Sequence, residues 1–268
     1  MKMKKILAVV MALLMVVTCF AACGKKEEEN KNQTKTDMEY VKEKGTLVVG
    51  ITEFEPMDYQ KDGEWVGFDA DLAKEFAKYL GVDIKFNLID WKYKTTELDG
   101  KTIDVVWNGM TLNDEVKAAM DCTNAYCRNK QVIVVPADKA EQYNTVEACK
   151  SLKFAVENGS AGKEEADANG FNYIEVEDQA TALQEVAAGT SDAAIIDLLM
   201  AGAMIGEGTS YANLAYTVEL SDEVYAVGFR KGSDLVAQFN TFYAAKVADG
   251  TVDKIAEKYG ITQELLVK

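Results

Sequence analysis

WNGMTLNDEVKAAMD, running from Trp107 to Asp121, decides how the rest of this chain reads. Just before it, Ile103, Val105 and Val106 make an apolar strand, which passes through a polar turn into a helix. Asn113 is placed to cap that helix, Asp114 and Glu115 fall in its first turn, and Val116, Ala119 and Met120 recur at helical spacing. A helix that begins at the mouth of a strand is either a plain, well-capped αβ unit or one wall of a ligand site. The stretch alone allows both.

The 268 residues can bury one large core or two moderate ones, and the length favours two compact lobes. A formal net charge of −15 with carboxylates spread along the chain argues against nucleic acid, whose phosphates need a basic stripe. It describes a solvated surface instead. The chain has no histidine and no Cys-x-x-Cys pair, so neither a metal site nor a cofactor is expected.

The amino terminus reads as a secretion signal. Lys2, Lys4 and Lys5 precede an apolar run from Ile6 to Val17, and the small residues Ala21 and Ala22 stand just before Cys23. Residues 1–22 are therefore expected to be a signal peptide. Cys23 sits where the bacterial lipobox has its acylated cysteine, with Phe20 at the position usually held by Leu or Val. Lipid on Cys23 would anchor the protein outside the cell membrane without spanning it, since the apolar run is short for a transmembrane helix. From Gly24 to Asp37 no residue is apolar, so 23–37 reads as anchor and flexible tether. Of the later cysteines, Cys122 and Cys127 could bridge in an oxidising location, or all three with Cys149 could be free thiols.

The body alternates strand and helix. Thr46 to Ile51 is an apolar strand, Asp69 is a candidate cap for a helix closed by Gly81, and Val82, Ile84, Phe86 and Leu88 alternate as a second strand. Gln131 to Val135 opens a fresh series. Strands at Phe154–Val156, Tyr173–Val176 and Ala193–Asp197 are separated by helices near Lys163–Ala168 and Gln179–Ala188. Such a pattern implies an α/β protein with two lobes, each a mostly parallel sheet flanked by helices. A short echo between Gly100–Asp104 and Gly189–Asp192 places a similar helix stop and strand start in each half.

Six segments carry a resemblance in order along the chain. They are Gly50 to Met57, GFDADLAKEFAKYLG at Gly67 to Gly81, WNGMTLNDE at Trp107 to Glu115, ENGSAG at Glu157 to Gly162, AIIDLLM at Ala194 to Met200, and VGFRKGS at Val227 to Ser233. Together they resemble the bacterial extracellular solute-binding proteins of amino-acid ABC uptake, with the periplasmic-binding-protein-like fold. The resemblance implies that QVIVV and YAVGF cross between lobes and that the last helices return to the first. The expected division is lobe 1 at 38–134 and 224–268, lobe 2 at 135–223, with a solute in the cleft between them and hinge closure around it. It further implies a lipid-anchored, extracytoplasmic monomer that meets a small-molecule solute and ABC permease subunits, touches the membrane only through its anchor, and has no catalytic residues.

Members of the resembled family hold an α-amino acid at both ends. An arginine after the NGMT-like turn grips the carboxylate, a second-lobe hydroxyl assists, and an aspartate takes the ammonium. The aspartate is kept as Asp197, where a charge directly after an apolar strand needs a partner; the other reading of Asp197 is a helix N-cap. At the arginine position stands Val116, and Lys117 points about 100° away around the helix. The hydroxyl position falls on Ala161, beside Ser160. Phe54, Trp91 and Trp107 are placed to offer aromatic faces to a cation, with Glu53 and Asp58 adding negative charge, although each can equally be packing or solvated surface. The implied ligand set is Glu53, Phe54, Trp91, Trp107, Asn108, Gly109, Met110, Thr111, Val116, Ser160, Ala161 and Asp197. The expected solute bears a cationic amine and needs no α-carboxylate. That expectation requires Asp197 to face the gap and no basic group to fill the space beside Val116; Arg128 is the one residue considered as a replacement. Two other functions fit the same fold: a dehydratase-like enzyme, and a solute receptor for a membrane sensor.

Overall fold

The computed structural model describes residues 35–268; the expected signal peptide, Cys23 and the tether up to residue 34 lie outside the described residues. Helix α1 (Asp37–Lys44) opens with Thr36, whose hydroxyl accepts from the Glu39 amide while the Glu39 carboxylate reaches back, a reciprocal cap. Gly45 ends it in the left-handed conformation and the apolar run β1 (Thr46–Ile51) follows. Then come the hairpin β2 (Tyr59–Lys61) and β3 (Glu64–Val66), helix α2 (Phe68–Leu80), β4 (Asp83–Leu88), helix α3 (Lys94–Asp99), β5 (Val105–Val106), helix α4 (Asp114–Ala119) and β6 (Asp121–Cys122).

The second series is β7 (Cys127–Pro136), α5 (Val146–Cys149), β8 (Lys153–Glu157), α6 (Ala161–Asn169), β9 (Asn172–Val176), α7 (Gln179–Ala188), β10 (Ala193–Asp197), α8 (Leu198–Met204) and β11 (Leu214–Tyr225). A short β12 (Gly228–Phe229) and helices α9 (Leu235–Ala248) and α10 (Thr251–Lys258) complete the chain.

Two five-stranded sheets result, ordered β4-β1-β5-β12-β6 and β11-β7-β10-β8-β9. In each, the strands joined through helices are parallel, while β12, β6, β7 and β11 add on antiparallel. Each sheet is therefore mixed; its inner parallel strands are buried and read as apolar runs such as AAII of β10, while the edge strands β4 and β9 are half-exposed and alternate.

The chain passes between sheets in two places. The return lies between Tyr225 and Gly228, inside the expected YAVGF segment. The outward passage is displaced from expectation. QVIVV lies wholly within the second sheet, because β7 pairs with β11 from Cys127–Tyr225 onward; residues 127–134, assigned to the first lobe by sequence, belong to the second sheet. Ten paired residues, interrupted by two register shifts, hold that strand to its partner, and the passage is the short segment between Cys122 and Cys127.

Aromatic rings fill the first lobe where α2 and α9 meet its sheet. Trp107 stands edge-on to Phe239 with centroids 4.9 Å apart, and Phe76 lies 5.1 Å from Phe242. Arg230, just after β12, binds three elements together: its guanidinium donates to the Leu98 and Ile103 carbonyls at 3.0 and 2.9 Å and pairs with Asp37 of α1 at 3.0 Å. Cys122, Cys127 and Cys149 are free thiols, and burial raises the thiols of Cys122 and Cys127 to about 11 and about 12.

Candidate functional site

A cavity of about 450 Å³, mouth included, lies between the ends of the two sheets. Its first-lobe wall is the quoted stretch. After β5 the chain turns through Asn108, Gly109, Met110 and Thr111, which line it, and α4 begins with Asn113, whose side-chain oxygen accepts from the Val116 amide at 2.8 Å as its cap. The turn is fixed from behind. Asp69 is no helix cap, since α2 starts after Gly67; its buried carboxylate accepts from the Gly109 amide at 2.7 Å and from the Tyr126 hydroxyl at 2.6 Å. Gly109 has φ +56°, and a Cβ there would stand 2.6 Å from the Phe54 ring.

The second-lobe wall comes from the ends of β8 and β10 and the start of α6. Ser160 caps α6, its hydroxyl accepting from the Lys163 amide at 3.2 Å and donating to the Glu157 carbonyl at 2.8 Å. Ala161 follows as the first helical residue, so the helix start faces the cavity. Asp197 ends β10, buried at the cavity floor, and its side chain makes no cap to α8. It accepts from Tyr225 at 2.6 Å, from Gln131 at 2.9 Å, and from the amides of Asn129 and Gln179.

The predicted set thus divides. Trp91, Asn108, Gly109, Met110, Thr111, Val116, Ser160, Ala161 and Asp197 share the cavity. Trp107 does not, because at the end of β5 it turns into the aromatic core and is fully buried there. Phe54 packs beneath the Gly109 turn and edge-on to Tyr225, supporting the wall rather than lining it. Glu53 stays half-buried outside the lining, its carboxyl raised by burial and by Asp178 and Glu55. Asp58 is fully buried next to Asp69, and burial followed by Asp69 raises its carboxyl well above the usual range, so it adds no charge to the cleft.

Sequence reasoning missed Lys94, Asn113, Glu115, Glu157, Glu164 and Gln179, all of which line the cavity. Glu157 is the most telling. It is 3 % exposed, one of its carboxylate oxygens has no hydrogen-bond partner, and burial followed by the charge of Asp178 raises its carboxyl to about 8, against the contacts of Gln179, Lys94 and Thr52. A buried acceptor left open toward a cavity is costly unless a donor arrives.

Lys94 lines the same cavity as Val116, with its ammonium held elsewhere. Its ammonium donates to the Gly159 carbonyl across the gap at 2.9 Å and lies 5.0 Å from the Trp91 ring centroid. Burial lowers its pKa, opposed by Glu115, Glu157 and Glu164. Asn113 makes a second link between lobes, donating to both Glu164 oxygens at 2.8 and 3.0 Å. Arg128 instead lines a neighbouring depression with Glu165 and Asp222.

Residues 47–262 match the family described as bacterial extracellular solute-binding proteins, family 3. The L-cystine-binding protein TcyJ of Escherichia coli (strain K12) is 31% identical over 225 residues, 82% of this chain and 84% of that protein. The arginine-binding extracellular protein ArtP of Bacillus subtilis (strain 168) is 27% identical, covering 92% and 96%. Among solved structures, a mutant of ArgBP from T. maritima superposes with a TM-score of 0.78 at 30% identity, over 84% of this chain and 100% of that one. An ancestral amino acid-binding protein, a precursor of cyclohexadienyl dehydratase, superposes with a TM-score of 0.75 at 30% identity, over 83% and 98%.

Proposed function

The chain belongs to the bacterial extracellular solute-binding proteins, family 3, and from that premise we propose that the solute it captures for an amino-acid-type ABC system is recognised by a cationic amine. The carrying observation is the excess of carboxyl acceptors over cations in the cavity lining. Glu115, Glu157, Glu164 and Asp197 line it, against Lys94 as the one cation among the described residues. Lys94 is already drawn to Gly159 and faced by three of those carboxylates. In this reading Asp197 receives the ammonium, Glu157 offers an open acceptor beside it, and Trp91 offers its ring face, an attraction worth about 2 kcal/mol once water is excluded. Closure brings the Asn113–Glu164 and Lys94–Gly159 links into place over the bound solute.

A second reading is favoured by Lys94 itself. Its ammonium keeps one donor beyond the Gly159 and Trp91 carbonyls, and with the start of α6 it makes a place for an anion, so an ordinary α-amino acid could be held with Lys94 in the arginine's role. Titration calorimetry with paired amino acids and their decarboxylated amines separates the two. We expect the amine to bind within tenfold of its amino acid and Lys94→Met to leave that ratio unchanged; tight binding of the amino acid with the amine ignored overturns the amine reading.

Binding rather than turnover is the activity we assign. The relatives matched over most of the chain are named as binding proteins, and the dehydratase precursor is itself an amino acid-binding protein. We place the protein outside the cytoplasm, held by lipid on Cys23, acting as a monomer that delivers solute to permease subunits. Mass spectrometry of the mature amino terminus tests the anchor.

A further inference from the structure

The carboxylate at the cavity floor has a neighbour of the same sign. β7 lies between β10 and β11 in the second sheet, and its Asn129 and Gln131 each serve two carboxyls at once. Asn129 Nδ2 donates to Asp197 and, at 2.5 Å, to Glu223 of β11; Gln131 Nε2 donates at 2.9 Å to Asp197 and at 2.9 Å to Glu223. Carboxyls fed by the same amide nitrogens stand side by side. The other oxygen of Glu223 accepts from the Thr111 hydroxyl at 3.0 Å, and Thr111 belongs to the first-lobe wall. Glu223 therefore touches the solute's anchor and the opposite wall at the same time.

Among the described residues no cation is ion-paired to either carboxyl, and Lys130 on β7 is held by Glu219 and Asp222. Tyr225 approaches from β11 and Gln179 from α7, Glu157 stands on β8, and Glu115 and Glu164 lie across the cavity with Lys94, whose ammonium is held by Gly159. Arg128 on β7 is exposed and lines the neighbouring depression together with Glu223 itself, without an ion pair to it. Two like charges this close, Asp197 buried and Glu223 half-buried, do not both ionise readily. Burial first and Glu223 second hold the Asp197 carboxyl well above the ordinary carboxylate range.

We propose that Asp197 and Glu223 act as one unit that keeps a single proton between them when the cleft is without solute, and gives it to water as the solute's ammonium docks. The O–H bond of the shared carboxyl breaks, its proton passes to solvent, and an ammonium N–H takes its place; no electrons change hands. Each captured amine displaces one proton, and a neutral analogue cannot. Glu223 is a positioning residue in this scheme, and the scheme rests on Asp197 being the ammonium anchor.

Calorimetry at pH 7 in buffers of low and high ionisation enthalpy counts the protons, with L-arginine, L-glutamine and their decarboxylated amines as probes. The wild-type protein is expected to release close to one proton per solute and, below the pair's titration, to gain up to about tenfold in affinity for each unit rise in pH. Glu223→Gln removes the second of the two causes and is expected to release measurably fewer. A merely structural Glu223 would change affinity with the proton count untouched, and that result overturns the proposal. The solute-free protein gives an independent arm: in carboxyl-carbon NMR the signal assigned to Asp197 should titrate above the ordinary carboxylate range and move down in Glu223→Gln. An Asp197 titration left unmoved by Glu223→Gln overturns the proposal, while that movement with no probe bound removes the amine reading and leaves the shared proton standing.

Discussion

Changing Glu157 to glutamine isolates the cost of a carboxyl kept dry at the mouth of β8. Its titration is pushed from 4.5 to about 8, chiefly by burial. At about 1.4 kcal/mol per pH unit, the charged form costs the folded state roughly 5 kcal/mol. The sign follows from the direction: with the folded value raised, the penalty is absent below pH 4.5, grows as pH rises and is complete above about 8. Glutamine fills the same space without a charge and is spared it. Thermal melts of the solute-free protein from pH 5 to pH 9 should therefore show Glu157→Gln gaining on the wild type as pH rises, by roughly 10 °C at most for a chain of this size. Opening of the cleft lets water reach the carboxylate and sheds part of the cost, so this is a ceiling. Exchanging an acceptor oxygen for an NH₂ adds an offset that does not vary with pH, and Asp58, Asp69 and Asp197 titrate alike in both proteins. Only the slope of the difference carries the argument. A difference that stays flat between pH 5 and pH 9 refutes the placement of Glu157 as a dry, open acceptor.

Val116→Arg restores a fork beside the cavity and is expected to raise affinity for α-amino acids over their matched amines by roughly tenfold, the worth of one charged hydrogen bond, in paired calorimetric titrations. Gly159→Ala places a Cβ 2.8 Å from the Lys92 Cα across the gap at φ +74°, which obstructs closure; solute-induced compaction in small-angle scattering should be lost and affinity should fall at least about tenfold, beyond a local strain of roughly 1–2 kcal/mol. Trp107→Phe removes core packing and leaves the cavity untouched, so stability should drop by roughly 2 kcal/mol in urea titrations while affinity stays within about twofold.

What the sequence made legible follows from how local each determinant is. Apolar runs such as TLVVGI and AAII must lie in buried strands wherever the rest of the chain goes, and both sheets grow from them. Asp197 was readable because a charge directly after such a run needs a partner. The same pattern stands at Glu157 after Phe154, Ala155 and Val156, and it marks the cavity equally well. Trp107 was misread because a strand's last residue can turn to either face, and here Phe76 and Phe239 claim it for the core. Lys94 could not be read at all. In the polar stretch WKYKTTE it looks solvated, and its burial exists only because Gly159, 65 residues away, closes on it. Contacts made between lobes have no period and no neighbouring residue to announce them.

Arg230 has a mechanical consequence. By joining Asp37 to the carbonyls of Leu98 and Ile103, it routes any pull arriving at the start of α1 straight into the first sheet and bypasses the second. A molecule moored at that end would keep one jaw steady against the drag of its mooring, while the other swings freely on the short spans at 123–126 and 226–227.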